Sequence, residues 1–266
     1  MKLAAVSHIV TRQLGLWMPN KVPLIFVIGY PKSGTTWVAQ LVADYLRLPY
    51  PQHAWLPITF RAVVHGHEQA SKRFPASLYV MRDGRDALVS QYFQFVRNIP
   101  AGNHPPMSRR QRTYLSGLVN KTDVRTNLPR FIEKQMIRPA AGAVNWGRHV
   151  RSILEADCPG AVLLRYEDLV QDGPTVLANA MAKLTGEPLD VERAEQTVDR
   201  FSFNRQANRP AGSEDRSSFL RKGQPGDWRN HFTPEAAEIF DRYCGQTLVD
   251  AGYEKDRTWV QQVAVR

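Results

Sequence analysis

The feature that most constrains this chain is one short stretch, Leu24-Ile25-Phe26-Val27-Ile28, running straight into Gly29-Tyr30-Pro31-Lys32-Ser33-Gly34-Thr35-Thr36. Five consecutive apolar residues suit a strand covered on both faces, as in a parallel sheet. After the turn, Trp37, Leu41, Val42 and Tyr45 recur at helical spacing through Leu46. A glycine-rich turn between strand and helix makes an anion cradle, because its backbone N–H groups and the helix N-terminus converge on one point. Further strands are predicted at Ala62–His65, Leu78–Met81 and Ala161–Leu164. Helices are predicted from about Arg85 to Val96, Pro174 to Leu184 and Pro234 to Val249. This alternation predicts an α/β fold: residues 1–266 as one domain, core about 22–255, with a central parallel sheet flanked by helices. Residues 98–129 are expected to form a mobile loop or lid with short helices, and 204–227 a long surface loop.

The turn has the glycine separation of a Walker A loop, G-x-x-x-x-G-K-[ST], but Thr35 stands where the lysine belongs and the lysine lies inside the loop, at Lys32. That displacement argues against an ATP or GTP hydrolase. The 35 basic and 25 acidic side chains give a net charge of +10, which attracts nucleic acid, an anionic membrane or a multiply phosphorylated small molecule. Cys158 and Cys244 form no metal or redox motif and read as unpaired thiols. The opening Met1 to Val6 is briefly signal-like, but His8 and Arg12 interrupt it, and no stretch has the roughly 18 apolar residues of a membrane span. A cytoplasmic protein without a membrane span is expected.

A second block, Tyr79 to Ser90, again crosses from strand into helix; Arg82 at the strand end and Ser90 two turns on can converge on one phosphate. The alternative is a surface ion pair of Arg82 with Asp83 or Asp86. Tyr30 to Trp37 matches, at all eight positions, the Tyr-Pro-Lys-Ser-Gly-Thr-Thr-Trp loop of the sulfotransferases that use 3′-phosphoadenosine 5′-phosphosulfate (PAPS), and the chain resembles that family. The resemblance implies a P-loop, nucleoside-kinase-like fold. In it Lys32 contacts the bridging and sulfuryl oxygens, Ser33, Gly34, Thr35 and Thr36 hold the 5′-phosphate, and Trp37 stacks near the adenine. Arg82 and Ser90 match the family's 3′-phosphate pair. Arg221-Lys222-Gly223-Gln224-Pro225-Gly226-Asp227-Trp228-Arg229-Asn230 resembles its Arg-Lys-Gly-x-x-Gly-Asp-Trp-Lys-Asn signature, whose first three positions clasp that phosphate. Trp146-x-x-His149 and Tyr166-Glu167-Asp168 also match in order, and Phe201-Ser202-Phe203 resembles the family's Thr-Ser-Phe with Phe201 in place of threonine; the resemblance puts Tyr166 and Phe203 at the adenine.

The resemblance further implies in-line sulfuryl transfer to a hydroxyl or amine with release of PAP, a histidine base and Lys32 as stabiliser of the leaving group, restrained by Ser90. The family's Lys-Thr-His context is replaced by Val64-His65-Gly66-His67, so His67 leads as base and His65 is the alternative. No metal is implied. The rivals are a nucleotide kinase and a polyanion-binding protein. The acceptor is expected to be a small molecule with an aromatic or apolar part, facing Trp55, Phe60, Tyr92, Phe93, Phe95, Tyr114 and Phe131; Arg97, Arg109, Arg110 and Arg112 leave an anionic acceptor open. No nucleic acid partner is expected. The family's dimer motif is altered by Pro234, which leaves a monomer or a weak homodimer.

Overall fold

The computed structural model describes residues 3–19, 21–51, 56–72, 74–97, 118, 120, 123–139, 144–156, 158 and 160–264. Its centre is a four-stranded, all-parallel sheet of β1 (Leu24–Ile28), β2 (Ala62–Gly66), β3 (Ser77–Met81) and β4 (Ala161–Arg165), in the order β2-β1-β3-β4. Every residue of β1 and β3 is buried, as their apolar runs require, while the edge strand β4 is half exposed.

Alternate side chains feed two apolar layers, because successive residues of a strand point to opposite faces. Leu24, Phe26, Ile28, Val64, Tyr79 and Met81 enter one layer; Ile25, Val27, Val63, Leu78 and Val80 enter the other. The first is closed by α3 (Gly84–Arg97), α4 (Val124–Ile137), α5 (Trp146–Leu154) and α10 (Pro234–Asp250). The second is closed by α2 (Thr35–Leu46), α7 (Gly173–Thr185) and α8 (Val191–Arg200). The remaining helices are α1 (Leu3–Trp17), α6 (Tyr166–Gln171), α9 (Phe203–Ala207), a 3-10 turn at Asp227–Asn230 and α11 (Trp259–Ala264).

Three expectations change. The stretch expected as loop through residue 129 gives way to α4 at Val124; Asp123 caps it by accepting from the Thr126 backbone N–H at 3.2 Å, and Pro129 is accommodated within it. Residues 98–117 lie outside the described residues. The expected loop 204–227 begins inside α9 and then bonds to itself: Gly212 N–H donates to Lys222 O at 2.8 Å and Asp215 N–H to Arg221 O at 2.9 Å. The signal-like start is a helix, α1, with Ser7, Thr11 and Arg12 buried and Ile9 and Trp17 exposed. Thr233 caps α10 and Pro234 takes its first turn, where a missing N–H costs nothing. Neither Cys158 nor Cys244 is in a disulfide. Among the described residues no helix is long and apolar enough to cross a membrane.

Candidate active site

In a parallel sheet the C-terminal strand ends share one edge, and a crevice there is where α/β folds bind ligands. Gly29, His67, Arg82 and Tyr166 each follow a strand end directly, so four distant motifs meet.

The loop after β1 is shaped by close approach. A side chain on Gly29 would collide with the Val80 carbonyl. Gly34, at φ 92°, precedes the first turn of α2, and a Cβ there would come within 2.8 Å of the Tyr166 ring. Lys32 also has positive φ, 72°, a strained conformation for a side-chain-bearing residue. No side chain caps α2, so the N–H groups of its first turn stay available. The Ser33 hydroxyl is buried without a hydrogen-bond partner. Burial, reinforced by Arg82, Arg97 and Arg221, lowers the Lys32 ammonium to a pKa of about 8. Its Nζ lies 4.2 Å from the Phe219 ring centre, and Trp37 donates through Nε1 to Phe201 O at 2.8 Å.

His67 lies just past β2, and its Nδ1 is 2.9 Å from Gly29 O. A carbonyl only accepts, so Nδ1 carries the proton and the Nε2 lone pair is left free. Burial pushes its pKa down, keeping the ring neutral. His65, within β2, has its Nδ1 2.6 Å from the Tyr50 hydroxyl; the two histidine rings are 6.2 Å apart. Behind them His149, fully buried and lowered to a pKa of about 4 by that burial, spans the Tyr79 hydroxyl (2.6 Å) and His67 O (3.2 Å). A neutral ring meets both contacts if Nε2–H donates to His67 O and Nδ1 accepts from Tyr79.

Arg82 is not the surface ion pair its neighbours allowed. Asp83 binds Arg85 at 2.8 Å, and Asp86 accepts from the backbone N–H groups of Gly226 (2.6 Å) and Trp228 (2.8 Å). Arg82 instead donates to Lys32 O at 2.9 Å and stacks 4.4 Å from the Tyr166 ring centre, and its Nε is buried with no partner. Tyr166 thus backs the loop and the guanidinium together, with Trp37 edge-on at 5.9 Å. Ser90 sits half-buried at the end of the second turn of α3.

The third block is an ion cluster. Asp227, almost wholly buried, accepts from Arg221 (2.5 Å), Asn230 (2.8 Å) and Lys222 and contacts His231 at 3.2 Å. Burial opposes ionisation, but His231, Lys222, Asn230 and Arg221 together hold this carboxyl well below the usual range. Arg221 also reaches Glu214 at 2.5 Å, while its Nε is buried without a partner. Glu214, Asp227 and His231 have the proximity of metal ligands, yet Arg221 and Lys222 occupy those carboxylate oxygens. Gly223, at φ 65°, abuts the Phe203 ring, which leaves no room for a side chain there.

The structure therefore gathers Lys32, Ser33, Gly34, Thr35, Thr36, Trp37, Arg82 and Tyr166 around one loop, and Phe203 with Arg221, Lys222 and Gly223 around another. Asp86 joins the two. Residues not foreseen are Asp86, Glu214, Asp227, Phe219 and Tyr50; Asp227 lay inside a recognised signature, but its role as a four-partner hub depends on contacts that spacing does not reveal. The aromatic pocket needs correction: Tyr92, Phe93 and Phe131 are buried core residues, Tyr92 and Phe131 edge-to-face at 5.4 Å. Phe60 is exposed, and Trp55, Tyr114, Arg109, Arg110 and Arg112 lie outside the described residues.

The comparisons agree with this geometry. Human sulfotransferase 1E1 is 26% identical, with 85% of this chain and 84% of the human protein covered. The rabbit amine sulfotransferase is also 26% identical, over 85% of this chain and 81% of its own length. A mouse sulfotransferase, SULT7A1, solved in complex with PAP, superposes with a TM-score of 0.57 at 21% identity, covering 91% of this chain and 89% of the mouse chain. The sulfotransferase domain family matches residues 71–252, well over half of the sequence. The chain belongs to the sulfotransferase family.

Proposed function

We propose that this enzyme transfers the sulfuryl group of PAPS to the hydroxyl or amine of a small molecule, with His67 as general base. The observation that carries this reading is that the buried polar atoms lacking partners include Ser33 Oγ, Arg82 Nε and Arg221 Nε. Buried donors left unsatisfied are costly, so three of them around one crevice fit an anion with two phosphate sites. Ser33, with the loop and α2 N–H groups, meets the 5′-phosphate; Arg82, Ser90, Arg221, Lys222 and Gly223 meet the 3′-phosphate; Trp37, Tyr166 and Phe203 border the adenine. PAP bound to the mouse relative supports the same ligand here. These cations use part of the +10 charge locally, which supports a small anionic donor over nucleic acid.

In the reaction the acceptor oxygen or nitrogen forms a bond to sulfur as the bond from sulfur to the bridging phosphate oxygen breaks. His67 Nε2 takes the acceptor's proton, and the leaving electron pair rests on that bridging oxygen, beside the Lys32 ammonium. Nδ1–H anchored on Gly29 O supports this tautomer, whereas His65 lies within β2. No step calls on a metal. Exposed Leu56 and Phe60, on the segment entering β2, support an acceptor with an apolar part, and the name of the rabbit relative supports amines as well as hydroxyls. We read residues 1–266 as one domain, cytoplasmic, and a monomer or weak homodimer.

At saturating donor, His67→Ala is expected to lower turnover by about 10²–10⁴-fold, the usual worth of a general base, while His65→Ala stays within about tenfold of wild type. PAP release over a panel of phenols, alcohols and amines is the measurement. Loss confined to the His65 variant overturns the assignment.

A further inference from the structure

The segment bearing His67 is gripped from outside the sheet by α1, and both precede the family-matched residues. α1 turns a mixed side inward, with Leu14 and Leu16 packed against the core. Its buried positions include Ser7, Thr11 and Arg12, while Val6, Ile9, Val10 and Trp17 face out. Leu14 and Leu16 lie near the end of the helix, and specific polar contacts hold its other inward positions. Thr11 Oγ1 accepts from the Ile58 backbone N–H at 2.9 Å. Arg12 donates through one nitrogen to the His65 carbonyl and through another to the Glu68 carboxylate. These acceptors lie on either side of Gly66 and His67, and a Cβ on Gly66 would fall onto the guanidinium. A planar guanidinium can bridge two acceptors in fixed geometry; an ammonium cannot.

We propose that the Arg12–Glu68 pair is a positioning device for the base: Arg12 ties the His65 carbonyl to the Glu68 side chain across His67, and the pair balances the charge beside its ring. This deepens the assignment of His67 and rests on it. The charged and titratable groups around His67 are Arg12 from α1, Lys32 from the loop after β1, His65 of β2, Glu68 beside it and His149 of α5. After burial, which lowers the His67 pKa most, Glu68 raises it and Arg12 and Lys32 lower it. Removing Arg12 therefore raises the His67 pKa, and neutralising Glu68 lowers it.

The test is the pH profile of kcat/KM at saturating PAPS for wild type, Arg12→Met, Arg12→Lys, Glu68→Gln and His67→Ala. Arg12→Met is expected to cost on the order of ten- to a hundredfold in kcat, as misplacement of a catalytic group does, with acceptor KM within about twofold. Its acid limb moves to higher pH. Glu68→Gln moves the limb to lower pH; its side chain is 42% exposed, so this variant keeps the test decisive should Arg12→Met fail to fold. Arg12→Lys loses kcat but keeps the wild-type limb. Unmoved limbs, or shifts of one sign in both variants, overturn the pair's role while an inactive His67→Ala leaves the base assignment intact. A His67→Ala enzyme that still turns over removes the base assignment and this inference with it.

Discussion

At the β1–α2 loop the cations stand without carboxylate partners among the described residues, whereas at 221–227 each cation already holds one. Lys32 lies over an aromatic ring with its pKa lowered to about 8, and Arg82 spends one donor on a backbone carbonyl while its Nε has none. Arg221 and Lys222 share the Asp227 carboxylate, and Arg221 reaches Glu214 besides. Lys32 keeps its charge under tension, since burying an unpaired cation costs free energy that an arriving phosphate recovers. Arg82, though burial opposes its charge, is held charged by nearby Tyr166, Asp86, Glu167 and Asp83. The second region is neutralised in advance, so a phosphate there must share or replace existing bonds. One end is built for gain on binding and the other for being in place beforehand.

The comparison breaks first at Lys32. Lys32→Ala is expected to lower turnover on the order of 10²–10³-fold, the worth of a preorganised electrostatic contact, while melting no lower than wild type. The sign follows from its pKa: about 8 in the fold against an ordinary 10.5 means that charging Lys32 opposes folding at neutral pH. PAP affinity in the wild type should weaken as pH rises through about 8 and Lys32 loses its proton, and the variant should lack that step. Titration calorimetry between pH 7 and 9.5 reads both, and near-normal turnover in the variant would sink the role given to Lys32.

Asp227→Asn probes the opposite end. Removing the shared charge of a buried cluster costs about 3–5 kcal/mol, so a large fall in Tm is expected. Because its carboxyl is held low by its partners, Asp227 contributes stability that is present above the ordinary carboxylate range and is lost as pH falls below it. A variant that melts like wild type shows that the cluster is not a structural hub. Glu214→Gln should do least. It removes a partly exposed pair, worth about 0.2–1 kcal/mol, so PAP should bind up to about fivefold tighter through a freed Arg221. Weaker binding would mean that Glu214 orders Arg221 rather than competing for it.

Much of the fold was legible because buried parallel strands write themselves as continuous apolar runs: all four lie within a residue or so of their predicted limits. The shape of the β1–α2 turn was legible for a related reason, since a turn needing positive φ and close backbone approach tolerates few sequences. What stayed hidden depends on distant partners. α1 turns Ser7, Thr11 and Arg12 inward beside Leu14 and Leu16, which hydrophobic spacing does not foresee. Tyr92, Phe93 and Phe131 were read as pocket aromatics, though adjacent residues on α3 and one on α4 simply fill the core between those helices. Asp86 and Asp83 looked alike beside Arg82, and only the folded chain shows one binding the backbone 140 residues on and the other binding Arg85.

The strand order β2-β1-β3-β4 also has a meaning during synthesis. Its first three neighbours are complete by residue 81, so a chain still leaving the ribosome holds the middle of the sheet and the loop carrying Lys32 long before residues 209–230 exist. The half that waits for an anion is made early, and the half that carries its own carboxylates is made late. A growing chain thus acquires the proposed nucleotide cradle first and the proposed clasp last.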